Sequence, residues 1–207
     1  MQTSTTENIP TTTKNDELIL VVKRESLFDS QEAFQGVQEI DFQSYSALIK
    51  SNQEFLPRSV MEQDFKYKQI IPYLVFTYNN KLFMMQRQAK ASETRLANKY
   101  TLGIGGHIRQ EDMSSDSIID WAKREFYEEV DYKGNLDIQA IGVLNDDSND
   151  VGKVHLGFIF LLKGDSGLIR VKEELKSGEL LSFAECELYY EKMETWSQMV
   201  FDFLKNR

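Results

Sequence analysis

The sequence predicts a mixed α/β (α+β) fold, a mixed sheet between helices, and three observations carry that expectation. Two apolar runs flank Asn79-Asn80 in IIPYLVFTYNNKLFMMQRQ (residues 70–88), the pattern of a hairpin, since Asn tolerates the positive φ of a tight turn. Between residues 115 and 130, Ile119, Ala122, Phe126 and Val130 recur at helical spacing and make a core-facing stripe. Two more apolar runs follow, then helical spacing again, so the order is strands, helix, strands, helices.

The elements follow in chain order. The Thr-rich start MQTSTTENIPTTTKND (residues 1–16) is expected as a disordered tail, being too polar to bury a core. LILVVKRE (residues 18–25) is apolar and β-branched, as a strand requires. DFQSYSALIKSN (residues 41–52) puts Phe42, Tyr45, Leu48 and Ile49 at helical spacing behind Asp41 as N-cap. No clear linker follows, so residues 17–66 are expected as an N-terminal extension packed on a main domain of residues 67–207. Residues 90–99 are polar and aperiodic and read as a loop, and YTLGIGGHI is a short strand ending in glycines. The central helix has Ser114, Ser115 or Asp116 as alternative caps. IQAIGVLND (residues 138–146) and KVHLGFIFLL (residues 153–162) read as strands around a polar turn, and SFAECELYYEKM and TWSQMVFDFLKN as helices.

Composition excludes several functions. The chain has 207 residues, of which 41% are hydrophobic and 12% aromatic, enough for a real core. Thirty-three acidic residues against twenty-four basic ones give a net charge of −9, which disfavours binding to a nucleic acid duplex. A phosphorylated small molecule remains compatible if a metal ion supplies the positive charge. Cys186 is the single cysteine, so no internal disulfide forms and a reducing compartment fits. With no membrane-length apolar run and no secretory leader pattern, a cytoplasmic protein is expected.

The chemistry centres on GGHIRQEDMSSDSIIDWAKREFYEEVDY (residues 105–132). At about 100° per residue, Glu129 lies about 40° to one side of Glu125 and Glu128 about 60° to the other, so all three carboxylates share a face. That placement disfavours the isolated helix. Glu125 and Glu129 are like charges at i,i+4, and all three sit near the negative end of the helix dipole. A solvated acidic face, offset by Lys123 and Arg124, is the simplest account. A divalent cation gives the cluster a purpose, because hard Mg²⁺ or Mn²⁺ takes oxygen ligands. Gly105 and Gly106 would then let the backbone turn sharply and bring a carbonyl into the metal shell.

This stretch resembles the signature box of the Nudix hydrolases, G-x5-E-x7-R-E-U-x-E-E-x-G-U, where U is a bulky apolar residue. Residues 124–129, Arg-Glu-Phe-Tyr-Glu-Glu, match its R-E-U-x-E-E core, and Gly106 matches its leading glycine. The box covers about an eighth of the chain, and the flanking strand and helix order extends the likeness from about Ile70 to the C-terminus. There are three departures. The box's first acidic position falls on Asp112 counting from Gly106 but on Asp116 counting from Arg124, both are Asp rather than Glu, and Asp131 replaces the glycine after the helix. Asp accepts a left-handed C-cap, so that last change is tolerable.

The resemblance implies an α/β/α sandwich and hydrolysis of a diphosphate linkage, typically in a nucleoside diphosphate derivative, by water attack at phosphorus with Mg²⁺ or Mn²⁺. It implies Gly106, Glu125, Glu128 and Glu129 as metal ligands, with Glu128 or Glu129 also polarising the water. Arg124 would orient the acidic groups by bidentate pairing. A later carboxylate often serves as general base in this family, and Glu174 ranks slightly above Glu173, Asp146 and Asp147. Arg87 and Arg95, with Lys99 and His107, are candidates to face phosphate, though each is by default a solvated or packed side chain. Homodimers are common among proteins of this kind. The main alternative is a non-catalytic nucleotide-binding sensor of the same fold, which would be expected to lack the intact glutamates. An isomerase of that fold would want a catalytic cysteine and a histidine-rich metal site, and this chain has two scattered histidines.

Overall fold

The computed structural model describes residues 16–28, 33–88, 98–112, 118–173 and 175–207. Its strands are β1 (Leu18–Lys23), β2 (Gly36–Gln38), β3 (Gln53–Pro57), β4 (Tyr67–Tyr78), β5 (Lys81–Arg87), β6 (Tyr100–Thr101), β7 (Gly103–Gly105), β8 (Val130–Tyr132), β9 (Leu136–Asn145), β10 (His155–Gly164), β11 (Ile169–Val171) and β12 (Leu175–Ser182). Its helices are α1 (Arg24–Phe28), α2 (Phe42–Asn52), α3 (Arg58–Met61), α4 (Ile118–Glu129), α5 (Asp150–Val154), α6 (Phe183–Glu187) and α7 (Thr195–Lys205).

The main sheet runs β12-β5-β4-β10-β9-β2, with β1, β6 and β7 attached along β4 and β5 and β3 alongside β1. It is mixed: β10 is parallel to β4 from His155↔Gln69 to Lys163↔Thr77, and antiparallel to β9. β4 is the long central strand, and side chains alternate across it. Leu74 and Phe76 enter one core with Trp121, Ala122 and Phe126 of α4 and Ile49 of α2. Tyr73 and Val75 enter the other with Val200 and Phe201 of α7 and Cys186 of α6. Helices thus cover both faces, giving the α/β/α sandwich. No helix among the described residues is long and apolar enough to cross a membrane.

Local chemistry explains the elements that position the site. Asn79 and Asn80 have φ of 49° and 58°, the pair of positive values that a two-residue hairpin between β4 and β5 needs. Asp41 caps α2 by accepting from the Ser44 amide at 2.9 Å. In α4, Ala122 and Phe126 of the expected stripe are buried with Trp121 and Ile119 is half-buried against the same core, while Val130 is buried as the first residue of β8.

The N-terminal segment is woven into the sheet. β1 pairs antiparallel with β3 and with the start of β4, and β2 edges β9. Phe42 and Tyr45 of α2 pack on Phe158, with ring centroids 5.6 and 6.0 Å apart.

Three expectations change, and one strand is added. The turn between β9 and β10 contains α5, whose cap Asn149 accepts from the Gly152 amide at 3.0 Å. Residues 175–182, assigned no strand from the sequence, form the edge strand β12, in which only Leu175 is buried. The segment expected as one helix at SFAECELYYEKM breaks into α6 and a 3-10 turn at Tyr190–Lys192. Asp131 is not left-handed: α4 passes straight into β8, where Val130 pairs with Val171. Lys172 replaces the glycine cap, its amide donating to the Glu129 carbonyl at 2.8 Å and its ammonium to the Tyr127 carbonyl. The cap candidates Ser114, Ser115 and Asp116 lie outside the described residues.

Candidate active site

β7 pairs with β4 at Tyr73↔Gly105 and delivers Gly106 beside α4. Neither Gly105 nor Gly106 has a positive φ, so the expected sharp glycine turn is absent. Gly106 is needed for room instead. A Cβ there would stand 2.2 Å from Oε1 of Glu125, so only a bare backbone fits against that carboxylate. The Glu125 side chain is 16% exposed. Burial, reinforced by the nearby Glu128 charge, pushes its carboxyl up to about 6, against the pull of Arg124 and Arg109.

Arg124 ties the helix to the preceding loop. Its Nη2 lies 3.0 Å from Oδ2 of Asp112, while Nη1 donates to Glu128. Asp112 also accepts from the Trp121 indole, the Arg109 amide and Arg109 Nε, each at 3.2 Å. Burial alone would raise the Asp112 carboxyl. The Trp121 and Arg109 hydrogen bonds and the two arginine charges hold it below the usual range. Asp112, one of the two candidates for the first acidic position of the box, thus pairs with Arg124, and the other, Asp116, lies outside the described residues.

The other end of α4 leads to Arg87. The Glu129 carbonyl accepts from Lys172, and three residues later Leu175 sits opposite Arg87 in the β12/β5 ladder. Arg87 Nε donates to Glu194. Burial would lower the guanidinium's pKa, but Glu194 first and then Glu129 raise it. Lys172 and Leu175, on either side of the expected later carboxylates, are thus tied to the end of the glutamate helix and to Arg87. Glu173 is exposed there, and Glu174 and Arg95 lie outside the described residues.

Other candidates are placed elsewhere. His107 Nε2 lies 2.6 Å from Gln69 Oε1, an acceptor, and 3.3 Å from His155 Nε2. Burial, with Arg58 and His155 nearby, pushes the His107 ring down to about 3. It is a neutral packed imidazole joined to β4 and β10, and it is not brought to the glutamates. Asp146 accepts from Gln35, Ser148 and Asn149, and Asp147 pairs with Arg24 and Lys68, so both serve the loop between β9 and β10. Cys186 is buried, and burial pushes its thiol up to about 11. The sequence did not single out Arg109 or Glu194. Arg109 stands three residues before Asp112, a faint signal, whereas Glu194 is 107 residues from Arg87 and leaves none.

Among the described residues, no three His, Cys, Asp or Glu side chains already converge as around an ion. The Glu128 carboxylate is paired with Arg124. Gly106→Ala tests the close approach. The clashing atom is the end of a flexible side chain, so stability should change by under about 1 kcal/mol. Displacing Glu125 should weaken Mn²⁺ binding, read by titration calorimetry, by about tenfold or more.

A helix carrying R-E-x-x-E-E, its arginine held by a loop aspartate and its first glutamate set against a bare glycine, within an α/β/α sandwich, defines the class. The chain belongs to the Nudix hydrolase superfamily. It is 35% identical over 205 residues to Protein YmaB of Bacillus subtilis (strain 168), covering 93% of this chain and 99% of that protein. The crystal structure of Tm1382, provisionally assigned to the Nudix hydrolases, superposes with a TM-score of 0.79 at 31% identity, covering 92% of this chain and 99% of that one. The NUDIX domain of Shewanella oneidensis NrtR, complexed with ADP ribose, shares the fold at a TM-score of 0.56 and 12% identity, over 81% of this chain and 99% of that one. No protein-family model matches the chain.

Proposed function

We propose that the protein hydrolyses the diphosphate linkage of a nucleoside diphosphate derivative with Mg²⁺ or Mn²⁺ bound at the glutamate helix. The observation that carries this reading is the Gly106 backbone pressed against a Glu125 carboxylate whose pKa is raised. A half-buried carboxylate beside another acid, with space kept open by a glycine, is a hard-oxygen donor set short of positive charge. The residues fit such an ion: the Gly106 carbonyl, Glu125, Glu128 and Glu129 would hold it. When bound, it would neutralise phosphate oxygens and supply the Lewis acidity for water attack at phosphorus.

The chain's own groups do the rest. Asp112 and Arg124 brace the loop against α4 and fix the register of the glutamates. Glu128, paired here with Arg124, would be among the holders of the ion, and it or Glu129 would take the proton of the attacking water. Glu174 is the further candidate for that base. Arg87 supplies cationic charge to the diphosphate oxygens, and Arg95 is a candidate for the same role.

The test follows release of phosphorylated products from a panel of nucleoside diphosphate derivatives, ADP-ribose among them, with Mg²⁺, Mn²⁺ or EDTA. Turnover that requires the metal is the expected result. A wild-type protein that turns nothing over, yet melts at a higher temperature with a nucleotide, would be a binding module instead.

A further inference from the structure

Arg87 and Glu194 form a pair that the helix motif does not account for. Glu194 precedes α7 in the N-cap position, yet its side chain makes no cap hydrogen bond. Its carboxylate is given to Nε of Arg87 instead, although Glu194 is only 8% exposed. The backbone around it is anchored. The Glu194 amide donates to the Tyr100 carbonyl at 2.9 Å, and its own carbonyl accepts from Gln198 at 3.0 Å. Ser197, one turn on, accepts from the Leu102 amide at 3.0 Å and lies 2.8 Å from the Tyr73 hydroxyl. The start of α7 is thereby clamped to residues 100–102, the stretch that leads through β7 to Gly106. Arg87 is clamped as well, its amide donating to the Lys99 carbonyl at 3.0 Å. Among the described residues only Nε of the Arg87 side chain is hydrogen-bonded, and its two terminal nitrogens form the fork that matches paired phosphate oxygens.

We infer that Glu194 is a positioning residue for the diphosphate site, gripping Arg87 by Nε so that its terminal guanidinium nitrogens serve the phosphate oxygens of the substrate. The Glu129 carboxylate reinforces the cation from the metal side, as the raised Arg87 pKa records. The inference rests on reading the glutamate helix as a diphosphate site, and it adds a residue from the opposite helical layer. A purely structural pair would tie β5 to α7 and nothing more.

The experiment separates these. Mn²⁺ binding to the full chain is measured by loss of the free-ion electron paramagnetic resonance signal, and binding of methylenebisphosphonate to the Mn²⁺-loaded protein by calorimetry. Arg87→Ala and Glu194→Gln should each weaken bisphosphonate binding by about tenfold or more, with Mn²⁺ affinity unchanged. The double variant should be no weaker than Arg87→Ala alone, because Glu194 acts through Arg87. Glu194→Asp, which keeps the charge on a shorter arm, should fall between wild type and Glu194→Gln, and serves if the Gln variant folds poorly. Unchanged bisphosphonate affinity in Arg87→Ala, or full additivity in the double variant, overturns the inference alone. A wild-type protein that binds neither Mn²⁺ nor bisphosphonate overturns the diphosphate reading and this one with it.

Discussion

Glu125→Gln is expected to abolish turnover while making the metal-free protein more stable. The substitution keeps the side chain's size against Gly106 and removes only the charge. Under the proposed function Glu125 is a metal ligand, and its loss should lower activity by about a hundredfold or more, at or beyond the loss typical of removing a supporting residue. Stability moves the other way. The folded-state pKa of Glu125 lies at about 6, above its ordinary 4.5. A carboxyl raised in the folded state contributes stability below its unfolded value and loses that contribution as pH rises through the folded value. At pH 7 in EDTA, wild type therefore carries a penalty of up to about 2 kcal/mol that the variant lacks. Urea unfolding should show the gap opening between pH 4.5 and 6 and closing below it. Saturating Mg²⁺ should stabilise wild type and leave the variant unmoved. A variant that is less stable in EDTA, or still active, would make Glu125 an ordinary structural acid.

Asp147→Ala should cause the largest loss of stability, about 3–5 kcal/mol. Asp147 accepts from Lys68 Nζ at 2.9 Å, pairs with Arg24 and accepts from Asn145. Lys68 is fully buried, and its other hydrogen bond is to the Gly152 carbonyl at 2.8 Å. Removing Asp147 strands that ammonium inside the protein, where an uncompensated charge is costly. Lys68→Met should cost far less, because Asp147 keeps Arg24. Lys68→Met combined with Asp147→Asn should recover most of the loss. Equal losses in all three would mean the cost is lost packing rather than a stranded charge. The pH dependence has a definite sign. Burial would raise the Asp147 carboxyl, but Arg24, Lys68 and Asn145 hold it far below its ordinary 3.8. A lowered carboxyl contributes stability above its unfolded value and loses it as pH falls towards the folded one, so wild type and Asp147→Ala should converge below about pH 3.8.

The two variants also show where each kind of information resides. Glu125, Glu128 and Glu129 were legible as a shared face because helical periodicity is local, and Arg124 and the glycine pair lie in the same short stretch. Asp147 was read as a spare carboxylate. Its partners Arg24 and Lys68 are 123 and 79 residues away, and nothing local marks them. His107 follows the glycines so closely that proximity in sequence suggested proximity to phosphate. The ring instead joins Gln69 and His155, which strand pairing sets side by side.

Residue pattern alone determined the Asn-Asn hairpin, the helix with its apolar stripe, the acidic face and the match to the Nudix box. The first three are set by periodicity and turn chemistry within short stretches, and the last is a resemblance in residue identity. Tertiary structure decided that Asp112 braces Arg124, that β1, β2 and β3 complete the sheet, that Gly106 matters for space, and that Glu194 reaches Arg87. Each depends on which distant backbones the sheet brings into register. Pairing between charges is governed by distance and burial in three dimensions, and a linear pattern records neither.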